Sequence, residues 1–133
     1  MEKSQAYSPL RILVADDSLD TVITLRMLLE DDGHMVHTLT SGAGVVAAVG
    51  ELKPNVCIVD IHMPGATGYE VGSELKRRYG SARPYMIAIS GKSYRASDML
   101  TAKQMGFDHF FEKPADPRQL ARLLAEVQQR LAA

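Results

Sequence analysis

Short, mostly apolar runs alternate with longer stretches in which apolar residues recur every three or four positions. Residues 10–15 form the first run, bounded by Pro9 and the acidic pair Asp16-Asp17, and a run of that length predicts a buried strand. The next stretch carries Val22, Ile23, Leu25, Met27, Leu28 and Leu29 at helical spacing; Ser18 or Asp20 can cap its start, and Gly33 stops it. A second strand is predicted over 34–39. The following helix, about 42–52, places Val45, Val46 and Val49 inward and ends before Lys53-Pro54, because a residue preceding proline is pushed out of helical conformation. Residues 55–60 read as the third strand, continuously apolar from Val56 to Val59, as expected of a central strand covered on both faces. Beyond the loop 61–67, a third helix is predicted over 68–79, and Arg83-Pro84 introduces a fourth strand over 85–90. A short helix over 97–105 is closed by Gly106, and a fifth strand spans 107–112. Asp116 then opens a last helix with Leu120, Leu123, Leu124, Val127 and Leu131 as its apolar stripe.

Five strands joined by five helices predict an α/β fold, because each right-handed crossover lays a helix on one face of a parallel sheet. The natural arrangement is a flavodoxin-like doubly wound five-stranded parallel sheet of order 2-1-3-4-5. Its topological switch lies between strands one and three, which brings Asp17 beside Asp60. The other polar groups at strand ends, Ser90 and Lys113, converge on the same crevice. Carboxylates, a hydroxyl and an ammonium gathered in one place suit cation-assisted phosphoryl chemistry.

Composition narrows the function classes. The 133 residues, 46% hydrophobic, fit one domain with a substantial core. Fifteen basic against 16 acidic side chains leave a net charge of -1, so there is no basic field for direct nucleic-acid binding. The single Cys57 excludes an intramolecular disulfide and suits a reducing compartment. No apolar stretch approaches about 18 residues, so membrane insertion is not expected, and the polar start lacks a signal segment. Cytoplasmic residence is the expectation.

The run Ile12-Leu13-Val14-Ala15-Asp16-Asp17-Ser18, the block from Asp60-Ile61-His62-Met63-Pro64 to Gly68, the ending Ile89-Ser90-Gly91 and the tail Phe111-Glu112-Lys113-Pro114 resemble response-regulator receiver domains (CheY-like) of two-component signalling. The likeness covers residues 9–131 as one receiver domain, with 1–8 as a short polar leader. It implies that Asp60 is the phosphoacceptor, taking a phosphoryl group from a histidine kinase or histidine phosphotransfer protein in a Mg²⁺-dependent reaction. The plain alternative is a strand-terminal aspartate making a turn. Asp16 and Asp17 match the family's acidic pair, which holds Mg²⁺ together with the acceptor and a backbone carbonyl, here that of His62. Mg²⁺ suits such a site because it takes oxygen ligands and keeps several waters. Adjacent strand residues point to opposite faces, so Asp17 is expected to ligate directly and Asp16 through water. Otherwise the pair is a helix-start charge feature.

Ser90 matches the switch hydroxyl, a single rotatable donor for the acyl phosphate, and Lys113 matches the lysine that pairs with a phosphoryl oxygen. Without that likeness, the first would be a turn cap and the second a solvated lysine. A cis Lys113-Pro114 bond is also implied. Phe110 stands at the aromatic switch position, often Tyr in relatives; lacking a hydroxyl, it acts through packing alone or is a core residue. His62 and Lys92 lie two residues beyond acceptor and hydroxyl, where similar domains tune water access. His34, His37 and His109 read as strand residues without chemistry.

The resemblance further implies a downstream protein target or effector domain, read through the surface of helix four, strand five and helix five. A receiver of a hybrid kinase acting as a relay intermediate is the alternative within the family. Two other classes share features of the pattern. An aspartyl-nucleophile phosphatase needs a second aspartate two residues after the first, where His62 stands. A flavodoxin-like electron carrier needs a phosphate cradle after strand one, where the acidic pair would repel FMN. The domain is thus expected to be a phosphorylation-regulated signalling module and no enzyme beyond self-catalysed phosphotransfer and dephosphorylation.

Overall fold

A computed structural model describes residues 7–63, 66–91 and 96–132. Strands β1 (Arg11–Ala15), β2 (Met35–Leu39), β3 (Val56–Asp60), β4 (Tyr85–Ser90) and β5 (His109–Glu112) alternate with helices α1 (Leu19–Asp31), α2 (Val45–Leu52), α3 (Gly68–Tyr79), α4 (Ala96–Gln104) and α5 (Pro117–Ala132). The strands form one parallel sheet in the order β2-β1-β3-β4-β5. The predicted architecture is therefore the observed one.

Side-chain alternation along the strands divides the core in two. Ile12, Val14, Ile58, Ile87 and Ile89 face α1 and α5, meeting Val22, Leu25, Leu29, Leu120 and Leu124. Leu13, Ala15, Cys57, Val59, Met86 and Ala88 face the other way, against Val45 and Val49 of α2, Val71 and Leu75 of α3, and Ala102 of α4. All five residues of β3 are buried, which explains its unbroken apolar run. Each fully buried Val, Leu, Ile or Met side chain of these clusters contributes about 1.5–3 kcal/mol through removal from water.

Element boundaries differ from the pattern where side chains do work that periodicity does not reveal. His34 stands just before β2, buried, with its Nδ1 accepting the Leu10 N–H at 3.0 Å. Burial pushes its pKa below the usual 6.5, against the smaller pull of Asp32. β5 begins at His109, two residues later than expected. Ahead of it, Asp108 locks the entry by accepting the Met86 N–H at 2.8 Å through Oδ2 and donating its own N–H to the Met86 carbonyl at 2.7 Å.

Residues 42–52 split into a 3-10 turn, Gly42–Gly44, and the α-helix α2. Ser18, rather than Asp20, caps α1 by accepting the Thr21 N–H. Ile23 and Met27 are 47% and 67% exposed, because Val22, Leu25 and Leu29 already define the buried face of α1. Leu131 is 59% exposed, one turn beyond Val127, the last residue of α5 to reach the core. Lys92 and the Pro64-Gly65 part of the block lie outside the described residues.

Candidate functional site

The carboxyl ends of β1, β3 and β5 bring together the groups that the pattern placed there. β1 pairs with β3 in parallel, with Ala15 opposite Val59, so the residues that follow, Asp16 and Asp60, emerge side by side at the switch point. Asp16, Asp17 and Asp60 each offer a carboxylate oxygen, and these atoms lie within 4.8 Å of one another. Asp16 and Asp60 are buried, whereas Asp17 is exposed. Strand alternation would have split the acidic pair, but β1 ends at Ala15, so both carboxylates turn into the same crevice.

Lys113, just after β5, reaches across the sheet edge. Its Nζ lies 2.7 Å from Asp16 Oδ2 and 3.0 Å from Asp60 Oδ2. The second contact is a hydrogen bond; the first is an ion pair whose angles leave Asp16 Oδ2 without a well-directed donor among the described residues. The other oxygens are held by local backbone. The Ser18 N–H donates to Asp16 Oδ1 at 2.8 Å, and the His62 N–H donates to Asp60 Oδ1 at 2.9 Å. His62 itself is exposed.

The electrostatics follow from this arrangement. Burial raises the Asp16 pKa, helped by the charge of Asp60 and opposed by Lys113 and the Ser18 amide. Burial alone would lower the Lys113 pKa, but its close contacts with the Asp16 and Asp60 carboxylates together outweigh it and raise the value. Three carboxylates against one ammonium leave two negative charges uncompensated. An all-oxygen donor set, a buried oxygen lacking a directed donor and a twofold charge deficit fit a hard divalent cation.

Ser90, at the end of β4, is buried, and its carbonyl accepts the Lys113 N–H at 2.8 Å. The strand ends of β4 and β5 are thereby tied beside the carboxylates. The Lys113-Pro114 bond is cis. Phe110 is half-buried on the other face of β5 from Phe111, against the cluster that α2, α3 and α4 cover. His37 and His109 are exposed, and His109 stacks at a tilt on Phe111, with ring centroids 4.6 Å apart. Burial pushes the Cys57 thiol up to about 12, so it stays protonated in the core.

The family described as "Response regulator receiver domain" matches residues 12–125. The chain belongs to this family. It is similar to the protein PilH of Pseudomonas aeruginosa, with 30% identity over 117 residues covering 88% of this chain and 96% of PilH. It is also similar to the transcriptional regulatory protein KdpE of Mycobacterium tuberculosis, with 33% identity over 123 residues, or 92% of this chain and 53% of KdpE. A solved CheY-like response regulator receiver domain protein from Methanospirillum hungatei shares the fold at a TM-score of 0.81 and 24% identity, over 92% of this chain and 96% of that one. Membership of this signalling family decides against the phosphatase and electron-carrier classes.

Lys113 lies in the crevice with the carboxylates, as the strand-end pattern implied, and bridges two of them. One support of the site escaped the pattern. Thr67 and Glu70 form a capping box at the start of α3, with the Glu70 N–H on Thr67 Oγ1 at 3.2 Å and the Thr67 N–H on Glu70 Oε1 at 2.8 Å. The spacing Thr-x-x-Glu ahead of an apolar repeat was a readable signal for it.

Proposed function

We propose that Asp60 is the phosphoacceptor of this receiver domain and that the donor is a phosphohistidine on a histidine kinase or phosphotransfer protein. The observation that carries this reading is the convergence of Asp16, Asp17 and Asp60 with Lys113 at the switch point of the sheet. An Asp60 carboxylate oxygen attacks phosphorus, the P–O bond forms as the P–N bond breaks, and the electron pair leaves on the imidazole nitrogen. Lys113 turns from Asp60 Oδ2 to a phosphoryl oxygen, and the His62 N–H holds Oδ1 so that the nucleophile is aimed before the donor arrives.

Asp16, Asp17, Asp60 and the His62 carbonyl would hold Mg²⁺. Bound there, the ion neutralises charge on the acceptor and the phosphoryl oxygens. Ser90 donates its hydroxyl to the acyl phosphate, and Phe110 repacks as it does so. About 1.5–2 added negative charges at the sheet edge thus shift a two-state equilibrium of the surface built from α4, β5 and α5, which a protein target or effector domain reads.

The test is phosphotransfer from a phosphorylated kinase or from acetyl phosphate, with and without EDTA, to the native chain and to Asp60→Asn. Label on the native chain alone, lost with EDTA, is the expected outcome. Equal label on both proteins removes Asp60 from this role. For the switch, beryllofluoride with Mg²⁺ is expected to move the amide resonances of Ser90, Phe110 and α4; unchanged resonances there would refute it.

A further inference from the structure

The loop that follows the acceptor is braced from a distant part of the chain. Gly42, in the 3-10 turn before α2, is buried, and a Cβ built on it would collide with the Ala66 carbonyl oxygen and lie 2.9 Å from the Ala66 carbonyl carbon. The obstacle is backbone, which cannot swing aside as the tip of a side chain can. The conformation of Gly42 does not itself call for glycine. Positive φ angles among the described residues occur at Lys53, Gly33, Gly80 and Gly106 and not here, so space alone excludes a side chain.

Ala66 belongs to the segment that leaves β3 at Asp60, and the far end of that segment folds back on the acceptor. The Gly68 N–H donates to the Ile61 carbonyl at 3.3 Å. A Cβ on Gly68 would stand 2.5 Å from Ile61 Cα and 2.7 Å from the Asp60 carbonyl oxygen. Gly68 is thus clamped to residues 60 and 61, while Ala66 rests on the bare backbone of Gly42. A displacement at Ala66 passes through this clamp to Ile61 and His62, whose amide holds Asp60 Oδ1 at 2.9 Å.

We propose that Gly42 is a positioning residue for the phosphoacceptor site: its lack of a side chain seats Ala66, and with it Gly68 and Ile61, so that the His62 backbone addresses Asp60 and the divalent cation. The inference rests on the reading of Asp60 as acceptor given above. Gly44 supplies an internal control two residues away. A Cβ there meets only the Leu39 methyl carbons, at 3.8 and 4.0 Å. Replacing either glycine by alanine removes the same freedom from the unfolded chain, so a difference between the variants reports contacts in the folded one.

The experiment compares native protein, Gly42→Ala and Gly44→Ala by ¹⁵N NMR without metal, then by Mg²⁺ titration of the same samples. Gly42→Ala is expected to shift the amides of His62, Ala66 and Gly68 and to raise the Mg²⁺ dissociation constant about tenfold or more, as loss of an outer support of a metal ligand does. Gly44→Ala is expected to match the native protein in both readouts. Equal Mg²⁺ affinity in the two variants overturns the proposal. So does global unfolding of Gly42→Ala alone, since the loop, and not the core, is what should yield. If the native protein neither binds Mg²⁺ nor takes phosphoryl label, the acceptor reading fails, while the metal-free amide shifts still decide whether Gly42 sets the loop.

Discussion

Lys113 holds a single positive charge between two buried carboxylates, which makes it a neutraliser of the acidic cluster and, under the proposed function, the group that would pair with a phosphoryl oxygen. Replacing it separates the two roles. Lys113→Met removes a cation from a cluster that keeps three carboxylates, so Mg²⁺ affinity should rise several-fold in a fluorescence or NMR titration. Phosphorylation by acetyl phosphate should fall by about 10²–10³, the usual cost of losing a donor aimed at developing charge. Weaker Mg²⁺ binding in this variant would contradict the charge count. The convergence of Asp16, Asp17, Asp60 and Lys113 was legible in the sequence because each stands at or just past the end of an apolar run. The orientation of the Asp16-Asp17 pair was less legible, since it depends on where β1 stops; the strand ends at Ala15, and both carboxylates turn into one crevice.

At the scale of elements, the start of α3 shows how local chemistry supports the site. Thr67 and Glu70 satisfy each other's amides and fix the start of the helix that follows Asp60 in the chain. Thr67→Ala should cost about 1 kcal/mol in urea unfolding with an unchanged m-value. A cost near zero would mean that the loop contacts at Gly68, and not the cap, hold the helix start. Helix α3 and strand β4 were readable to the residue, because Gly68 and Pro84 punctuate strong patterns. β2 and β5 start later than the pattern implied. His34 and Asp108, polar residues at their entries, accept the backbone amides of Leu10, just ahead of β1, and Met86 in β4, partners 24 and 22 residues away in sequence. Ile23, Met27 and Leu131 read as core residues, but an apolar side chain on a helix needs a facing strand, and that geometry is set by the whole sheet.

For the molecule as a whole, the sheet order was legible because alternation of strands and helices with short connections admits few topologies. Its consequence for stability can be tested through His34. Burial keeps this ring neutral, so the unfolded chain binds a proton more readily than the folded one. Stability is full above the ordinary histidine pKa of 6.5 and falls as the pH drops from there towards the lowered folded value. His34→Asn retains an acceptor for the Leu10 N–H without titrating in this range, so it should flatten the decline seen between pH 7.5 and 5.5 in chemical unfolding. An identical decline in both proteins would remove His34 as its source.

Function at this scale comes down to whether distant strand ends cooperate in forming one acyl phosphate. The direct measurement is borohydride trapping after incubation with acetyl phosphate and Mg²⁺, followed by peptide mass spectrometry. The account predicts homoserine at position 60, absent when EDTA is present and abolished in Asp17→Asn. Homoserine at Asp16, Asp17 or another carboxylate, or at position 60 irrespective of Mg²⁺, would contradict it.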